Sequence, residues 1–225
     1  MLDLNVVSKW LGECYSRLYL KFGMELFTFS EAKKLLPLDE NRLLNPENFL
    51  FLVSGTLKNV EKIASERYLK LILDCLRFLL KNMDLESFAV YGSVARGSPS
   101  QYSDVDILLV SDSLEGSLGS RIEKLYHVEK TLEEELKWLR NHGVYTSLSF
   151  YPLRREEAQR LPLLFLDLTE EATILYDRNS FLETTLLELK SKLLKQGAKR
   201  VIVNKEHWYW DLNPNHRLGE KIEIA

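Results

Sequence analysis

Apolar residues near the start of the chain recur at intervals of three and four. From Asn5 to Lys21, the residues Val6, Trp10, Leu11, Tyr15, Leu18 and Tyr19 fall on one side of a helical projection, which predicts an amphipathic helix. Phe27-Thr28-Phe29 is a short extended piece, and Ser30 is placed to cap a second helix over Glu31 to Leu36, which Pro37 ends. A third helix opens at Asn45-Pro46, where Asn45 can cap and proline suits the first turn, and Gly55 closes it. Two β-like runs follow, Thr56 to Ile63 and Arg67 to Ile72, joined at Ala64-Ser65-Glu66.

Beyond a helix from Asp74 to Met83 the pattern changes. Ser87 to Tyr91 and Val105 to Val110 read as strands, Leu118 to Asn141 as a long helix rich in alternating charge, and Val144 to Tyr151 as a third strand. Arg154 to Glu170 is mostly helical. Thr173 to Tyr176, Arg200 to Val203 and His207 to Trp210 are short strand candidates around a helix from Ser180 to Gln196. Strands alternating with helices predict an α/β (α+β) domain with a mixed sheet flanked by helices over 81–225, after a mostly helical domain over 1–80. The boundary falls near 73–85, with the Asp74 helix serving either side. The order of the first domain, three short helices and a hairpin, resembles a winged helix-turn-helix in pattern only.

The chain has 225 residues, room for one large domain or two small ones, and its 45% hydrophobic and 28% charged residues exclude a disordered chain, a collagen-like fibre and a disulfide scaffold. The formal net charge of -3 gives no global attraction to polyanions. It divides unevenly: residues 1–84 hold 12 Lys+Arg against 11 Asp+Glu, and the remainder 18 against 22. Asp39 to Val53, where a recognition helix would lie, has one basic residue, Arg42, which argues against DNA binding and for packing on the second domain or a homodimer contact. Cys14 and Cys75 lie in helix-like stretches with no metal spacing, and fit buried thiols of a reducing compartment. His127, His142, His207 and His216 are scattered. No signal peptide pattern opens the chain, and runs such as Phe49 to Val53 are about a quarter of the length of a membrane span, so the expectation is a cytoplasmic protein.

Candidate chemistry concentrates between Phe88 and Asp112. A strand runs into Gly92-Ser93, Ala95-Arg96-Gly97 follows, and Ser103-Asp104-Val105-Asp106 opens an apolar strand. Glycine lets the backbone turn sharply and approach a ligand without a Cβ. Ser93 begins a short helix whose free N–H groups and hydroxyl suit an anion, and Arg96, one turn later, can hold a phosphate oxygen. Asp104 and Asp106 are two apart on a strand, so their carboxylates share a face and form a hard oxygen pair suited to Mg²⁺. Separately, each piece has a plainer reading: a capped strand-to-helix turn, a solvent-facing strand start, and a salt bridge from Arg96 to one of the aspartates. Asp106, however, leads directly into Ile107 to Val110, where a lone carboxylate is costly.

The ordered set resembles the signature of the DNA polymerase β nucleotidyltransferase superfamily, in particular its minimal nucleotidyltransferase members of archaeal type. The tight signature covers about twenty residues, and the order of elements extends the likeness over 85–176. The resemblance implies an NTP held through its β,γ-phosphates by Gly92 and Ser93, with Arg96 in support. It implies Mg²⁺ in a two-metal site on Asp104 and Asp106, the catalytic pair. It also implies a hydroxyl acceptor, with pyrophosphate released. The acidic balance favours a protein or small-molecule acceptor over a nucleic acid. One departure stands out: active members carry a third carboxylate on the next strand, whereas Val144 to Tyr151 has none, and Glu156, Glu157 and Asp167 follow only later. An incomplete site suits an alternative, a nucleotide-binding regulator or antitoxin-like partner of a helical toxin. A winged-helix transcription regulator is a third reading. The aromatic run Trp208-Tyr209-Trp210 reads as a strand packing its rings on the sheet, or as a stacking platform for a base.

Overall fold

The computed structural model describes residues 17, 20–21, 56–63, 66–204 and 207–214. Apart from Arg17, Leu20 and Lys21, which are helical, the three N-terminal helices lie outside the described residues, as do Cys14 and Asp39 to Val53. Where a hairpin is expected the structure differs. Thr56 to Asn59 has no regular structure, Val60–Lys62 is a single 3₁₀ turn, and Glu66–Asn82 is one helix, α1. The six residues from Arg67 to Ile72, apolar at 68, 69, 71 and 72, are too few to fix a period by themselves. Over the whole run, buried Tyr68, Leu69, Ile72, Leu76 and Leu79 keep helical spacing, and that face settles the element. The winged-helix reading therefore has no hairpin at 67–72.

The remaining elements alternate as expected. Strand β1 (Ser87–Tyr91) leads into the four-residue helix α2 (Gly92–Ala95), then β2 (Val105–Val110). The long charged helix divides at Leu132 into α3 (Leu118–Thr131) and α4 (Glu133–Asn141). Strand β3 (Leu148–Leu153) starts four residues later than its apolar pattern suggests. Helices α5 (Arg155–Gln159) and α6 (Leu164–Glu171), strand β4 (Thr173–Asp177) and helix α7 (Phe181–Lys195) follow. Strands β5 (Lys199–Ile202) and β6 (Trp208–Asp211) form an antiparallel pair of their own.

The main sheet has the order β3-β2-β1-β4; β1 is antiparallel to β2 and β4, and β2 is parallel to β3. A parallel pair needs a long crossover, and α3 and α4 supply it. Alternation along β2 sends Ile107 and Leu109 to a core shared with α1, α3 and α4, and Leu108 and Val110 to a second core under α5, α6 and α7. Both faces are thus covered, which is why β2 reads as a continuous apolar run. Leu57, Val60 and Ile63 join the first core. Among the described residues, no helix is long and apolar enough to cross a membrane.

Candidate functional site

Because β1 and β2 are antiparallel neighbours, the end of one and the start of the other lie side by side, and Tyr91 pairs with Asp106. The loop of about a dozen residues that sequence places between the glycine turn and the aspartates therefore closes on itself, and Gly92 comes to rest against Asp106. A Cβ on Gly92 would collide with Asp106 Oδ2 and stand 3.1 Å from its Cγ, and the backbone there has φ +70°, so glycine is required twice over. Helix α2 starts at this contact with no side chain capping its first turn. Ser93 is half-buried, and its carbonyl accepts from Ser98 N at 2.9 Å, which folds the following loop back over the turn.

The two aspartates share a face but not an environment. Asp104 is exposed and its Oδ1 accepts from the Ser147 N–H at 3.0 Å and the Ser147 hydroxyl at 2.7 Å. Asp106 is half-buried; burial pushes its carboxyl above the usual range, the Ser149 hydroxyl bond opposes this, the charge of Asp104 adds to it, and Arg96 opposes it. Ser149 is the register partner of Asp106 across the parallel pair. Tyr91 flanks the pair, its hydroxyl pushed up to about 12 by burial and by the charge of Asp106. Tyr68 of α1 closes the other side, with its hydroxyl donating to Ser100 O at 3.3 Å.

Strand β3 and the residue before it thus meet the aspartates with Ser149 and Ser147. These contributors were not legible in sequence, because β3 reaches the site only through its parallel register with β2, some forty residues further on. The three later carboxylates are engaged elsewhere. Glu157 accepts both arms of buried Arg121, one at 2.7 Å, and is held down to about 2 by that bond. Glu156 pairs with Arg160, and Asp167 Oδ1 accepts from the indole N–H groups of Trp208 at 2.8 Å and Trp210 at 2.9 Å. Arg96 pairs with Glu171 rather than with either aspartate, and its guanidinium lies 5.1 Å from the ring of Trp208. Arg200 pairs with the same Glu171 and lies 4.0 Å from the same ring. The aromatic strand therefore packs in a hairpin beside α6, with Trp208 against Arg96. Ser103 has the local role its position suggests, its hydroxyl accepting from Ser100 N at 2.8 Å.

The donor set fits Mg²⁺. Asp106 is seated against Gly92, Asp104 lies two residues before it, and the Ser149 and Ser147 hydroxyls bond to them, all hard oxygens. Among the described residues no group of three or more His, Cys, Asp or Glu side chains gathers to hold a metal ion.

Residues 69–163 match the family model described as nucleotidyltransferase domain. Similar solved structures include a toxin–antitoxin complex with AMP-PNP, at 13% identity over 55% of this chain and 90% of that one, TM-score 0.35. Two mutant structures of the toxin–antitoxin pair MntA-HpeT match at 12% and 14% identity, each over 54% of this chain and 89% and 88% of theirs, with TM-scores of 0.34 and 0.32. No curated protein matches the chain.

Proposed function

We propose that this chain transfers a nucleoside monophosphate from an NTP to a hydroxyl on a protein or small molecule. The acceptor hydroxyl gives up its proton to solvent, its oxygen bonds to the α-phosphorus, the bond from that phosphorus to the bridging oxygen breaks, and pyrophosphate leaves. The observation that carries the reading is the seating of Asp106 over the Cβ-less Gly92, with Asp104 beside it oriented by Ser147. Asp104 and Asp106 would hold Mg²⁺, which neutralises phosphate charge when bound. Gly92 and Ser93 receive the β,γ-phosphates. Arg96 supports them electrostatically from its place against Glu171.

The test uses α-labelled NTP with the full chain. Wild type is expected to transfer label in a Mg²⁺-dependent way, and Asp104→Asn with Asp106→Asn to lose it. Equal transfer by the double variant sinks the assignment.

A second reading has its own support. Beside Asp106, β3 offers Ser149 where a carboxylate would complete the site, and Glu156, Glu157 and Asp167 are committed to other partners. Such a site suits an antitoxin-like regulator that binds Mg²⁺–NTP and masks a helical toxin without turnover. Calorimetric binding of Mg²⁺–NTP with no pyrophosphate release against any acceptor distinguishes it.

A further inference from the structure

We propose that the stacked pair Tyr102 and Tyr145 is the nucleobase platform of this site, and that it selects purine nucleotides; the inference rests on the nucleotide reading above. The rings stack at 5.4 Å between centroids and 24° between planes. Yet Tyr102 is 67% and Tyr145 48% exposed, although large aromatic rings are usually among the better-buried side chains. The pair is rigid at its base. Tyr145 N donates to Gln101 O at 2.7 Å and Val105 N to Ser147 O at 3.0 Å, so the two connections still run side by side beyond the ends of β2 and β3. Tyr102 N also donates to Ser100 Oγ at 3.1 Å.

These groups follow one another in order along the chain. Asp106 sits over Gly92. Asp104 lies two residues further along, about 7 Å at full extension. Tyr102 precedes Asp104 by two more residues, and Tyr145 precedes by two the Ser147 that orients Asp104. On this proposal a triphosphate with its far end at Gly92 and its α-phosphate at the aspartates has its nucleoside on the side of the tyrosines. A phenol face offers a ring contact but no edge code, so it favours the larger purine rings and separates adenine from guanine weakly.

The test compares calorimetric binding of Mg²⁺ complexes of a non-hydrolysable ATP analogue, a CTP analogue and inorganic tripolyphosphate. Tyr102→Ala and Tyr145→Ala are expected to weaken the ATP analogue about 5- to 100-fold and leave tripolyphosphate unchanged, since the lost contact is to the base. Tyr102→Phe and Tyr145→Phe are expected to retain wild-type affinity, and wild type to prefer the ATP over the CTP analogue. Undiminished nucleotide affinity in the alanine variants overturns the platform and leaves the phosphate site standing, as does a rise in acceptor KM alone. Equal loss of tripolyphosphate overturns it too, because the tyrosines would then act through the shape of the loop. Failure of wild type to bind either ligand removes both readings.

Discussion

A carboxylate set half-buried above a glycine is held against its own solvation, and Asp106 shows the consequence. Burial raises its proton affinity, and neither the Ser149 hydroxyl nor Arg96 cancels that rise. The sign is that of any acid raised on folding: the protein gains from the protonated form at low pH, and that gain is lost as pH rises through the folded value. At neutral pH without metal, Asp106 is thus a local cost that a divalent cation bound as proposed would relieve. Asp106→Asn is therefore expected to raise the thermal midpoint in chelator while weakening Mg²⁺–NTP binding by more than about tenfold. Thermal melts and calorimetry on the same preparation check both halves, and a lower midpoint in chelator would contradict the first. Gly92 belongs to the same balance, since any Cβ there would meet this carboxylate.

At the level of elements, the site depends on how helices are fastened around the sheet. The guanidinium of Arg121 on α3 is buried, donates to Gly116 O at 2.9 Å and grips Glu157 at the start of α5. This ties the crossover helix to the turn after β3, whose other end carries Ser147 and Ser149. Glu157 is lowered from the usual 4.5 to about 2, so its contribution is complete above 4.5 and disappears as pH falls toward 2. Glu157→Gln is expected to cost about 1–2 kcal/mol at neutral pH, kept modest by the partial exposure of Glu157. Denaturant titrations should show the gap between variant and wild type closing between pH 4.5 and 2. A gap that persists unchanged there would assign the cost to packing. The β5–β6 hairpin is a second fastening: Trp208 is anchored by Asp167 and flanked by Arg96 and Arg200, which places Arg96 before any ligand arrives.

At the scale of the whole molecule, α1 and the 3₁₀ turn before it belong to the same core as the sheet. Leu57, Val60, Leu69, Ile72, Leu76 and Leu79 are buried together with Val90, Ile107 and Leu109. The end of the sheet that carries the aspartates is therefore supported from one face by α1, whose Tyr68 also reaches the loop before Asp104. Leu76, fully buried, is a direct probe: Leu76→Ala is expected to cost about 2–5 kcal/mol. Hydrogen exchange should then accelerate together in α1, β1 and β2. Faster exchange confined to α1 would mean that the helix and the sheet open separately.

By itself the sequence determined what is local. The glycine turn, the short helix and two aspartates on one face follow from strand periodicity and from glycine's freedom at φ +70°, each within a few residues of chain. The alternation of strands and helices was legible for the same reason. Tertiary structure decided the rest. A six-residue window over 67–72 is too short to fix a period, and the buried face running to Leu79 makes it helix. Parallel pairing with β2 brings Ser147 and Ser149, not a carboxylate, to the aspartates, and places Tyr145 against Tyr102. Packing of the terminal hairpin assigns Arg96 to Glu171 and Trp208. These partners lie from about forty to more than a hundred residues apart in sequence. Register and packing join them, and neither leaves a periodic mark on the chain.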